Sequence, residues 1–193
     1  MFLKLIFYLT LISILNATAL SKCKDNQLKN LTLDKLNRVF SPCGALTKYS
    51  ITKNEQIAYY LSTVSIESGN LTYNKNHFPG RPGQGTYSML LSHNLFEFYK
   101  MEYKNQNNYN ETNDSSKIQL LAYLNQNSLS FLPGAWWMAK GAALIQNPSC
   151  SSLLKDLVGS NDSKVTQLFT TCLGVDGKAR IDAYKYTLNI LKS

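Results

Sequence analysis

Past its first twenty residues the chain has no apolar run long enough to cross a bilayer, which takes about 20 consecutive apolar residues. It has two histidines, His77 and His93, and no Gly-x-Ser-x-Gly turn, which argues against a Ser-His-Asp nucleophile. Four cysteines occur without a Cys-x-x-Cys pair or a histidine close by, so a zinc site is disfavoured, and no metal or cofactor is expected. Arginine is scarce: Arg38, Arg81 and Arg180 are the only three, and the lysines are scattered. The formal charge of +8 therefore forms no patch of the kind nucleic acid needs, and leaves only a mild attraction to anionic walls or surfaces. Strand-like alternation and internal repeats are both missing. Finally, no Asp or Glu occurs between Glu67 and Glu97.

What is present begins with a leader. Lys4 precedes an apolar stretch from Leu5 to Leu15, and Ala17-Thr18-Ala19 supplies a small-x-small cleavage pattern. Residues 1–19 read as a secretory signal peptide, leaving a single domain over 20–193 that is secreted, extracellular or wall-associated, free of the membrane and monomeric. In an oxidising compartment an even cysteine count reads as disulfides. Cys23, Cys43, Cys150 and Cys172 allow three pairings; Cys23–Cys43 with Cys150–Cys172 is favoured because each would staple a helix-turn unit. Sequons at Asn30, Asn70, Asn110, Asn113 and Asn161 fit a glycoprotein.

Helical spacing runs over Leu28–Phe40 and again from Ile57 through Leu61 to Val64. The second helix opens on Thr52-Lys53-Asn54-Glu55, which has the capping-box form, and stops at Gly69. Residues 70–93 are too rich in Gly and Pro for regular structure and predict a shaped loop or a short β-hairpin. Further helices are expected over 95–103, 117–125, 133–145, 151–157, 164–171 and 179–191. Residues 104–117, nearly all Asn, Gln, Ser and charge, read as a flexible insertion. The fold class is mainly α.

Glu67 falls in the last turn of this second helix, where the partial negative charge of the helix end disfavours a carboxylate. Apolar neighbours such as Ile66 would raise its pKa further if they buried it. A carboxyl kept protonated near neutral pH suits a general acid that donates to a glycosidic oxygen. An ordinary solvated glutamate is the plain alternative.

A helix ending in Glu67-Ser68-Gly69, followed by a Gly-rich turn with Gly-x-x-Met at Gly85 to Met89 (one residue longer here), resembles the lysozyme superfamily: goose-type lysozymes, lytic transglycosylases and plant-type chitinases. The segment Asn76-His77-Phe78-Pro79-Gly80-Arg81-Pro82-Gly83-Gln84-Gly85-Thr86 is similar to a loop in small secreted fungal proteins of that pattern. So are Leu129-Ser130-Phe131 with Ala135-Trp136, and Cys172-Leu173-Gly174. The resemblance implies a lysozyme-like helical domain with Glu67 at a cleft, acting on a β-1,4-linked amino sugar polymer, either chitin or peptidoglycan. Retaining and inverting hydrolysis each use a second carboxylate, for which Glu97 is the nearest candidate beyond the loop. Lytic transglycosylases manage with one, because the substrate's own hydroxyl closes onto the sugar.

Within the loop, Arg81 and Gln84 are candidates to hydrogen-bond sugar hydroxyls, Thr86 and Tyr87 to position water, and His77 to contact substrate; each has a structural alternative as a part of the turn. Trp136 and Trp137 point about 100° apart on a helix, so Trp136 is a candidate to line the cleft, against the core role that large aromatics more often take. The rival to catalysis is a non-catalytic secreted wall-glycan binder or effector on the same fold. A structural extracellular domain without a sugar ligand is the third reading.

Overall fold

The computed structural model describes residues 42–126, 129–159 and 161–192. The leader, the 28–40 helix, Cys23, the Cys43 side chain and the Asn30 sequon lie outside the described parts. The described chain is mainly helical: α1 (Pro42–Lys48), α2 (Asn54–Glu67), α3 (Ser92–Tyr103), α4 (Asp114–Gln126), α5 (Leu132–Trp136), α6 (Cys150–Lys155), α7 (Asp162–Leu168) and α8 (Ile181–Lys192). Two helices widen into π-type turns, α5 over Trp137–Gln146 and α7 over Phe169–Leu173. No strand forms among the described residues; the 70–91 loop holds only isolated antiparallel bridges, Lys75 to Gly85 and Gly85 to Leu90.

α2 is the core helix. Ile57, Ala58, Tyr59, Tyr60 and Val64 are buried along it, and α8 packs beside it. The two helices run antiparallel and are clipped at both ends. Glu55 meets Lys192 at 3.3 Å, and Glu67 meets Arg180, one residue before α8, at 2.6 Å. The α2 cap is displaced from the Thr52–Glu55 box that the sequence suggests. Gln56 Oε1 accepts from the Lys53 N–H at 3.5 Å, while Glu55 leaves the cap to accept from the Gly159 N–H at 3.2 Å.

Tyrosine carries much of the interior. The Tyr59, Tyr60 and Tyr184 hydroxyls donate to the carbonyls of Leu168, Phe131 and Gly159, so each buried ring keeps its polar end paired. The segment 104–117 also makes contacts with the helices beside it. The Tyr109 ring packs on Tyr99 and Tyr123, Asn105 bonds the Tyr109 backbone, and 114–117 already belongs to α4. An exposed contact between His93 Nδ1 and Glu111 joins this segment to the first turn of α3.

Cys150 and Cys172 form a disulfide between α6 and the widened end of α7, closing 22 positions of sequence. Replacing both with alanine is expected to lower unfolding stability by about 3 kcal/mol, chiefly through the freer unfolded chain. Urea unfolding of the double variant reads this directly; no change would remove the staple from the account.

A polar knot joins α1, α3 and the turn after α5. Glu102 accepts ion pairs from Lys48 at 3.0 Å and Lys140 at 3.4 Å, and both ammoniums lie over the Tyr49 ring. Burial pushes the Glu102 carboxyl up, but the hydrogen bond and charge of Lys48 and the charge of Lys140 outweigh it, so the pKa lies below its ordinary value. A depressed folded-state pKa contributes stability above the unfolded value, near about 4.3, that is lost as pH falls through the folded one. Glu102→Gln is therefore expected to flatten the acid limb of stability against pH, as measured by urea unfolding from neutral pH downward.

Candidate active site

Three elements meet at Glu67. Its backbone closes α2, and the chain then turns sharply through Gly69, Asn70 and Leu71, all with positive φ. The Ser68 hydroxyl locks this turn, donating to the Val64 carbonyl at 2.6 Å and accepting from the Leu71 N–H at 2.7 Å. The turn sends residues 72–91 back across the end of α2.

That loop is pinned by its own side chains. Asn76 Nδ2 donates to Gln84 Oε1 at 2.9 Å, Gln84 Nε2 donates to the Met89 carbonyl at 3.0 Å, and Asn76 Oδ1 accepts from the Gly80 N–H at 2.9 Å. Close approach demands glycine at Gly85, where a Cβ would fall 2.5 Å from the Asn74 carbonyl oxygen. The result is a groove of about 310 Å³ with Glu67 in its lining, together with Tyr73, Lys75, His77, Phe78 and Gln84.

Arg180, just before α8, completes the arrangement. Its guanidinium lies over the buried Phe169 ring at 5.9 Å and bonds Glu67 Oε1 at 2.6 Å. The Glu67 side chain is 22% exposed, enough to be reached from the groove. Its setting differs from the apolar surround that Ile66 suggests. A carboxylate at the negative end of its own helix is met here by the Arg180 guanidinium. Arg180 Nη1 is enclosed with no hydrogen-bond partner among the described residues.

The sequence candidates separate. His77 and Gln84 line the groove with Glu67, although both ends of the Gln84 amide already serve the loop. Arg81 is exposed on the same loop but is not part of the lining. Thr86 is fully buried at a positive φ, its backbone tied to Asn74, so it reaches no ligand. The Tyr87 ring packs on Phe131 at 4.6 Å, outside the groove lining. Trp136 is 0% exposed and packs on Phe98, so it is a core ring and not a cleft wall. Glu97 pairs with Lys100 on α3 and does not join the groove, so no second carboxylate lines it among the described residues.

No family model matches the chain, and no solved structure matches it. Over 36 residues it is 50% identical to a bifunctional dioxygenase–epoxy alcohol synthase of Fusarium oxysporum (strain Fo5176). That stretch is 19% of this chain and 3% of that enzyme's length, so the likeness carries no fold and no activity across.

Sequence reasoning missed Arg180, which lies 113 positions from Glu67 and comes to it only through the α2–α8 packing. It also missed Tyr73 and Phe78 as groove residues. The Asn70 sequon, three positions from Glu67, is half-buried, with its Oδ1 accepting from the Ser65 hydroxyl. Among the described residues no group of three or more His, Cys, Asp or Glu is placed to hold a metal ion. No described helix is long and apolar enough to cross a membrane.

Proposed function

We propose that the protein is a secreted glycan-cleaving enzyme of lysozyme-like fold, acting on a β-1,4-linked amino sugar polymer with Glu67 as its proton donor. The observation that carries this reading is Glu67 in the lining of a groove of about 310 Å³, paired with Arg180. The groove is of the size that takes a small ligand or a sugar unit.

A single carboxylate favours the chemistry that needs only one. The protonated Glu67 donates to the glycosidic oxygen as the bond breaks, and Arg180 steadies the carboxylate left behind. Glu67 then takes the proton from the hydroxyl that closes onto the anomeric carbon, whether that hydroxyl belongs to the substrate or to water. For the first transfer the Glu67–Arg180 contact, 2.6 Å in this structure, must loosen.

Mass spectrometry of products released from chitin and from bacterial wall suspensions tests the reading. Ring closure by the substrate gives a product lighter by one water than hydrolysis does. Absence of either product from both polymers would defeat the enzymatic reading. The second reading, a secreted glycan binder, is favoured by the Arg180–Glu67 ion pair, which occupies the carboxylate, and by the lack of another acid in the lining. It predicts sedimentation with one polymer and no released product.

A further inference from the structure

Building on that glycan reading, we propose that the groove selects amino sugar polymers bearing carboxylates, of the peptidoglycan kind, over neutral chitin, with Lys75 reading the carboxylate and Phe78 and Tyr73 the sugar face. Phe78 is 92% exposed and Tyr73 51% exposed, yet both line the groove beside Glu67. Exposed aromatic rings at a groove are costly to leave in water and suit the apolar face of a pyranose. The loop holds them in place. Tyr73 packs edge-on to His77 at 5.5 Å, and the Asn76 side chain fixes the turn from 76 to 84 that presents Phe78.

Lys75 supplies the charge. It is exposed, lines the same groove, and forms no ion pair among the described residues, while its backbone is held by the bridge to Gly85. The Glu67 charge is already matched by Arg180, and no other carboxylate lines the groove among the described residues. Among the described residues the groove therefore presents one uncompensated cation, on a chain whose formal charge is +8. A polymer whose sugars carry lactyl-linked peptides with free carboxylates complements this; chitin, which is neutral, leaves Lys75 unanswered.

The test is depletion binding of the full chain carrying Glu67→Gln, which stops turnover, to purified bacterial sacculi and to chitin over a range of salt. Sacculus binding is expected to be the tighter and to weaken with salt. Lys75→Glu is expected to lower sacculus affinity about fivefold and to leave chitin binding unchanged. Phe78→Ala is expected to lower both about fivefold. Lys155→Glu, an exposed charge change on α6, is expected to alter neither. Equal losses from Lys75→Glu and Lys155→Glu would mean general charge attraction and would overturn the proposal, as would chitin bound as tightly as sacculi. The wild-type product assay runs apart from this. If no product appears but Lys75→Glu still shows its selective loss, the cleavage reading fails and the subsite stands; if product appears and Lys75→Glu binds sacculi like its parent, the subsite alone fails.

Discussion

Trp136→Ala is expected to cost roughly 3–5 kcal/mol of unfolding stability, the range for removing a large aromatic from a packed core, with no specific loss of glycan affinity in the fraction that stays folded. The indole is completely enclosed. It meets Phe98 edge-on at 5.6 Å and Trp137 at 6.2 Å. The backbone of the widened turn at Gly141 comes so near that a Cβ there would lie 2.6 Å from the ring. Such a site has little room to collapse when the ring is cut away, so the cavity persists and the loss falls at the upper end. Trp136→Phe is expected to cost less, because it refills most of the space and removes an indole N–H that has no partner among the described residues. Urea unfolding of both variants gives the comparison. Near-parental stability with weakened glycan binding would instead put the ring in the groove.

The contrast between Trp136 and Phe78 shows where sequence reasoning stops. Both are large aromatics flanked by Pro and Gly, and local pattern ranks neither above the other. Burial decides: Trp136 follows a proline-opened helix into the core, while Phe78 sits in a turn whose hydrogen bonds hold it outward. Helical periodicity in 54–67 and the Gly69 stop were legible because they depend on neighbours in sequence. The mainly α class was legible from pattern; the even cysteine count pointed to disulfides but left three pairings open, and Cys150–Cys172, favoured as the staple of a helix-turn unit, is the bond that forms. In the 104–117 segment, polar composition conceals Tyr109, whose ring packs on Tyr99 and Tyr123 of the neighbouring helices. Arg180 had no local signal at all. Its place beside Glu67 follows from the antiparallel register of α2 and α8, which the Glu55–Lys192 pair at the far end also marks. A lone Arg just before a C-terminal amphipathic helix is a cue only once the partner helix is known.

This division also shapes the chemistry. Glu67 was picked out by its position at a helix end, a feature that disfavours charge. The tertiary structure answers that disfavour with a guanidinium, so the proton donor proposed here is a carboxyl whose opposite partner is built in. The same groove carries rings and a lysine from one short loop, and Glu67 in its lining is paired with Arg180. Changes on the loop side should thus alter which polymer is held, and changes at Glu67 should alter whether it is cut.

The measurement that bears most directly on this account is product release from bacterial wall and chitin suspensions by the wild-type chain beside Glu67→Gln. Glutamine keeps the shape and can still accept from Arg180, but it leaves the enclosed guanidinium without its counter-charge, so the variant is expected to fold with a lowered urea midpoint and to bind polymer. It cannot donate a carboxyl proton, and loss of a general acid typically removes about 10²–10⁴ in rate. The account predicts soluble product from the wild type and a fall of that order in the variant, with binding retained. Equal product from both folded proteins would contradict it and place the proton donor elsewhere.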